Sequence, residues 1–133
     1  MESEGRRTVL KLLLDTHSIL WWVRDDRRLG REARRAIASA DVVWVSAASG
    51  WEMAIKIAKG RLRVVEPLRV TIVADRFTEL PLTLRHAEEM ERLPMHHGDP
   101  HDRILVAQAR VEGATIVSHD REFEPYGVPM IWT

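Results

Sequence analysis

Val9-Leu10-Lys11-Leu12-Leu13-Leu14 is almost continuously apolar and stops at Asp15, the pattern of a short strand buried on both faces. Leu29, Ala33, Ala36, Ile37 and Ala40 recur at helical spacing, so 29–40 is expected to be an amphipathic helix. Val42-Val43-Trp44-Val45 is β-branched and aromatic and predicts a second strand. Ser46 or Ser49 is placed to cap a following helix, in which Trp51, Ile55 and Ala58 share a face and Gly60 marks the stop. Residues 61–82 carry a weaker pattern: a helix from Leu68 to Phe77, then an extended piece from Glu79 to Leu82. Thr83 caps a helix to about Arg92. Asp99-Pro100 opens a strong helix that Gly113 ends. Thr115-Ile116-Val117 and Val128 to Trp132 are the last two predicted strands.

Strands alternating with helices give an α/β layered fold with a mainly parallel sheet. At 133 residues and 45% apolar composition the chain suits one domain with one sizeable core. Met1 to Arg7 is polar and is read as a flexible tail before a domain spanning 8–133. No apolar run is long enough to cross a bilayer, so a cytoplasmic location without membrane attachment is expected. The absence of cysteine excludes disulfides, thiolate metal sites and a cysteine nucleophile. Twenty basic residues balance twenty acidic ones, so binding to nucleic acid has to come from a local patch or from metal ions.

In open parallel sheets, ligands bind beyond the carboxyl ends of the strands. Asp15 follows the first strand, Asp120 lies just past the Thr115–Val117 strand, and Glu52 is near the start of the helix after the second strand. Asp102 sits in the first turn of the helix before Asp120; periodicity does not say which edge that turn faces. Gathered together, such carboxylates repel one another unless a cation intervenes. Mg²⁺ and Mn²⁺ prefer hard oxygen ligands, and a metal held there supports hydrolysis of a phosphodiester.

Each acid also has a purely structural role open to it. Asp15 suits a turn, Glu52 an i,i+4 pair with Lys56, Asp99 a helix cap, Asp102 the positive end of a helix dipole, and Asp120 the cap of a short turn. Four histidines, His96, His97, His101 and His119, fall near these acids, but their spacing matches no zinc motif. His17 reads as a packing or supporting residue. The tryptophans, Trp21, Trp22, Trp44, Trp51 and Trp132, are expected to pack rather than to stack on bases, and Trp21 and Trp22 cannot both face one side of a helix. Arg27, Arg28, Arg31, Arg34 and Arg35 form a basic run whose default is a solvated face. Lys56, Lys59, Arg61 and Arg63 are nearer the acids and better placed to meet phosphates.

Four blocks together resemble the PIN-domain family, and most closely its VapC-like toxins. They are Leu12-Leu13-Leu14-Asp15-Thr16-His17, Ser46-Ala47-Ala48-Ser49-Gly50-Trp51-Glu52, Asp99-Pro100-His101-Asp102-Arg103-Ile104-Leu105-Val106-Ala107-Gln108-Ala109 and Ser118-His119-Asp120. The resemblance runs from about Val9 to Trp132. It implies an α/β/α sandwich with an acidic site for Mg²⁺ or Mn²⁺ and an endoribonuclease acting on single-stranded or looped RNA. It assigns Asp15, Glu52, Asp102 and Asp120 as the metal-binding and catalytic acids, with Asp99, Ser118 and Thr16 as auxiliaries; Lys56, Lys59 and Arg61, read above from their nearness to these acids, are the candidate RNA contacts. It further implies a homodimer and a VapB-like antitoxin partner. Two positions depart from the family pattern: Ser118 stands where threonine is usual, and Gly50 where an apolar residue is usual. Neither removes a carboxylate. Two other readings stand beside this one. A non-catalytic PIN fold that binds RNA or protein would differ in metal affinity, and a nucleotide-binding α/β domain finds no Gly-rich phosphate loop in the chain.

Overall fold

The computed structural model describes residues 9–95 and 98–133. The expected N-terminal tail, and the two histidines His96 and His97, lie outside the described residues. Among the described residues five strands form one sheet: β1 (Lys11–Leu14), β2 (Val42–Ser46), β3 (Thr78–Leu80), β4 (Thr115–Ser118) and β5 (Met130–Trp132). Their order is β3-β2-β1-β4-β5, and every pairing is parallel. The helices are α1 (Thr16–Val23), α2 (Arg31–Ser39), α3 (Ala47–Ala58), α4 (Leu68–Ala74), α5 (Leu84–Arg92) and α6 (Pro100–Glu112), with a 3₁₀ turn at Arg121–Tyr126.

The continuous apolar run of β1 follows from its central place, since Leu12, Leu13 and Leu14 are all fully buried. Successive side chains point to opposite faces. Leu12 and Leu14 therefore join Ile19 and Trp21 of α1 and Ala33 and Ile37 of α2 in one core layer. Leu13 turns the other way and joins Leu105, Val106, Ala107 and Ala109 of α6, with Phe123 and Tyr126. Helices thus cover both faces of a parallel sheet, the expected α/β/α arrangement.

Several expectations shift in detail. Helix α1 has no counterpart among the predicted elements, because Ile19-Leu20-Trp21-Trp22-Val23 is apolar throughout and shows no 3.6-residue period. Helix α4 stops at Ala74 rather than at Phe77, because Arg76 takes a positive φ of 60° that no helix continues. Strand β3 comes one residue earlier and ends at Leu80. The face of α3 is corrected. Trp51, Ile55 and Ala58 are exposed, Trp51 by 68%, and the buried side is Ala48, Ser49 and Met53. The packing role expected of the tryptophans holds for buried Trp21 and for the half-buried Trp22, Trp44 and Trp132, and fails for Trp51.

Gly50 lies inside α3, and a β-carbon there would meet only the Leu68 side chain at 3.6 Å, an ordinary contact. Space does not demand glycine. Gly113, by contrast, ends α6 with φ of 70°, the left-handed conformation a helix stop favours.

Candidate active site

Parallel pairing brings the carboxyl ends of β1, β2 and β4 to one edge of the sheet. Helix α6 leads into β4 and so runs back across the sheet, which puts its first turn at that same edge. This settles what periodicity left open. Asp15, Thr16, His17, Glu52, Lys56, Asp99, His101, Asp102 and Asp120 line one cleft of about 200 Å³. All four acids expected in the core set, together with Asp99, therefore meet.

Each is held by the backbone around it. Asp15 is buried and is the N-cap of α1, accepting from the Ser18 N–H at 2.8 Å through Oδ1. Its other oxygen accepts from the Ser118 hydroxyl at 2.5 Å. Ser118 is itself fully buried, and its Oγ accepts the Asp120 N–H at 2.9 Å. Asp120 caps the 3₁₀ turn by accepting from the Glu122 N–H at 3.0 Å. Asp99 caps α6 by accepting from the His101 N–H at 2.9 Å, and Pro100 takes the first helical position. The capping roles read from sequence are thus real, and they coexist with a place in the cleft. A capping carboxylate keeps lone pairs to spare.

Thr16 and Glu52 form the second link. The Thr16 hydroxyl donates to Glu52 Oε1 at 2.5 Å, tying α1 to α3. His101 Nε2 lies 3.3 Å from both Thr16 Oγ1 and Glu52 Oε1. Lys56 pairs with Glu52 at 3.9 Å, one turn on, and also faces the cleft. Lys59 and Arg61 lie beyond the end of α3, are exposed, and do not line the cleft. Two of the five arginines in the basic run near α2 are committed locally: Arg28 pairs with Asp26 at 2.6 Å, and Arg34 binds the carbonyls of Asp26 and Leu29 and the Asp25 carboxylate.

Two residues take site roles that sequence reasoning did not give them. His101 is set against Glu52; its place inside the Asp99–Asp102 block was the available signal. Arg103 is buried and sends its guanidinium to the carbonyls of Met90, Leu93 and Pro94 and to the Tyr126 hydroxyl. It fastens the end of α5 beside the first turn of α6, which carries Asp102.

The donor set fits a hard divalent cation, since carboxylates and the Thr16 hydroxyl are all oxygen ligands. Among the described residues no three acidic or histidine side chains converge closely enough to hold a metal ion by themselves. A cation held by these residues would need water to complete its coordination, as Mg²⁺ commonly does.

Among the described residues no helix is long and apolar enough to cross a membrane. The PIN domain family model matches residues 12–128. Ribonuclease VapC22 of Mycobacterium tuberculosis is 31% identical over 121 residues, covering 89% of this chain and 93% of that protein. The fold is similar to a chain of VapBC2 from Rickettsia felis, solved bound to a DNA fragment from its promoter. The TM-score is 0.71 at 12% identity, over 93% of this chain and 99% of that one. It is also similar to DNA-bound VapBC from Salmonella typhimurium, with TM-score 0.66 at 20% identity, over 92% and 98% of the two chains. With its acids gathered at the carboxyl edge of a parallel sheet, the chain belongs to the PIN-domain family and, within it, to the VapC-like proteins.

Proposed function

We propose that this protein is the toxin of a VapBC-type pair, a metal-dependent endoribonuclease that hydrolyses RNA phosphodiester bonds in the cleft of Asp15, Glu52, Asp102 and Asp120. The observation that carries this reading is the meeting of these acids, drawn from four separate segments of the chain, in one polar cleft. Asp15, Glu52, Asp102 and Asp120 would hold Mg²⁺ or Mn²⁺, which when bound stabilises charge on the phosphodiester and acidifies water. The chain's own residues do the positioning. The Ser118 hydroxyl fixes Asp15 against the start of the Asp120 turn, and the Thr16 hydroxyl orients Glu52. Lys56 places a cation at the rim, suited to an incoming phosphate oxygen. Lys59 and Arg61, further along, would meet more distant phosphates.

A VapB-like antitoxin and self-association belong to the same reading. Trp51, Ile55, Val65 and Val73 leave apolar surface in water that a protein partner would cover. A cytoplasmic location fits a chain without cysteine.

The test is cleavage of structured RNA by purified protein with Mg²⁺ or Mn²⁺, against EDTA, beside an Asp15→Asn variant. Asparagine keeps an oxygen to cap α1, so the variant should fold. Cleavage that needs metal and is lost in Asp15→Asn is the expected result. Attack by water leaves a 5′-phosphate and a 3′-hydroxyl. A 2′,3′-cyclic phosphate would reveal attack by the RNA's own 2′-hydroxyl and sink the hydrolytic mechanism. No metal binding and no cleavage would favour a non-catalytic PIN module.

A further inference from the structure

Beside the acidic cleft lies a group of rings that the site chemistry does not use. His17, in the first turn of α1, stacks on Trp21 one turn later, with centroids 5.9 Å apart and planes 30° apart. His119, between Ser118 and Asp120, tilts against the same indole at 4.9 Å and meets His17 edge-on at 5.6 Å. The Arg28 guanidinium lies over Trp21 at 5.1 Å and is fixed there by hydrogen bonds from its Nε and Nη2 to Asp26. Trp21 is 6% exposed and belongs to the core, whereas both imidazoles are exposed. A buried indole thus carries two solvent-facing rings, held by contacts on several sides. His17 also forms part of the cleft wall, and His119 is bonded directly to Asp120.

We propose that His17 and His119, seated on Trp21, form a stacking shelf for an unpaired nucleobase flanking the scissile phosphate. The inference rests on the nuclease reading and names the feature of the substrate that this site takes. Exposed rings add little to the core, since they remain in water; their value lies in the flat faces they offer. Every base has a π-face, so stacking of this kind binds unpaired RNA with little regard to sequence. Bases inside a duplex have both faces covered by their neighbours, so the shelf selects single strands and loops. A short step from shelf to cleft places the phosphate next to the stacked base among Asp15, Glu52 and Asp120.

The experiment measures binding of a fluorescent single-stranded oligoadenylate, with Mg²⁺, to the Asp15→Asn protein, in which the strand stays intact. The comparison probe is a strand of equal length carrying abasic ribose at successive positions. His17→Ala and His119→Ala, each added to Asp15→Asn, should weaken binding of oligoadenylate by about five-fold or more. They should leave the abasic strand unaffected, and His17→Phe should restore affinity because the flat face returns. Circular dichroism checks that each variant folds. Equal weakening of both strands would show a phosphate contact and overturn the shelf. Unchanged affinity for oligoadenylate would overturn it as well, while leaving the nuclease reading intact if the parent protein cleaves RNA. Failure of the Asp15→Asn protein to bind either strand, with no cleavage by the parent, would overturn both.

Discussion

The Ser118 hydroxyl donates to Asp15 Oδ2 at 2.5 Å while its oxygen accepts the Asp120 N–H, so one buried group sets the spacing of two site acids on neighbouring loops. Serine thus does what the threonine usual in the family has the hydroxyl to do. Ser118→Ala should leave the Asp120 N–H unpaired and release one Asp15 oxygen. We expect a loss of about 1–3 kcal/mol in stability by urea unfolding, together with reduced cleavage. Ser118→Thr keeps the hydroxyl and should retain cleavage; a variant as inactive as Ser118→Ala would show that the hydroxyl is not what matters.

Arg103 makes a different kind of link. Its guanidinium satisfies three carbonyls at the end of α5 and just beyond it, and also meets the Tyr126 hydroxyl. Arg103→Met fills the space but takes the guanidinium away from the Leu93 and Pro94 carbonyls, while Met90 keeps the Leu93 N–H. It should cost about 3 kcal/mol, read as a lower urea midpoint. Tyr126→Phe removes a single bond and should cost about 1 kcal/mol. A neutral Arg103→Met would mean that water replaces the guanidinium at no loss.

The layered fold was legible because β1 is apolar on both faces and the helices around it are mostly amphipathic. The gathering of the acids in one cleft was legible for a related reason: Asp15 comes directly after β1 and Asp120 two residues after β4, and parallel pairing puts all strand ends of one sense at one edge. Asp102 was harder. Its place depends on α6 running antiparallel to β4, a property of the topology and not of the local pattern. Helix α1 is not legible in the sequence because an unbroken apolar run has no period to read. The face of α3 was misassigned because Trp51 and Ile55 are large and apolar, yet the sheet side of that helix is filled by the small residues Ala48 and Ser49 with Met53. The approach of His101 to Glu52 is not legible either, since no spacing rule reports a contact between α6 and Glu52 of α3.

Acid titration should single out Asp26. Hydrogen bonds from the Arg28 side chain, then from its backbone N–H, hold this carboxyl at about 2, below its usual 3.8. A carboxylate with a lowered folded-state value adds stability that is fully present above pH 3.8 and is lost as pH falls through about 2. Asp26→Asn should remove that share of the acid dependence, and carboxyl carbon shifts followed by NMR check it directly. A midpoint for Asp26 at its usual value would show that the pairing does not persist in solution.

The link between Thr16 and Glu52 is the most economical test of how the cleft is held. The Thr16 hydroxyl donates to Glu52 Oε1 at 2.5 Å, and His101 Nε2 approaches both partners at 3.3 Å. Thr16→Val replaces the hydroxyl with a methyl of similar size, so the buried packing at the start of α1 survives while the carboxylate of Glu52 loses its short bond from Thr16. Groups that orient a metal-binding carboxylate typically matter roughly ten- to a hundred-fold for affinity or rate. Thr16→Val should therefore weaken Mn²⁺ binding, measured by calorimetry, and slow cleavage by a comparable factor. Thr16→Ser should keep most of both. If Thr16→Val instead lowered the unfolding midpoint and left Mn²⁺ affinity unchanged, the hydroxyl would be a structural tie between α1 and α3, and Glu52 would need no orienting partner.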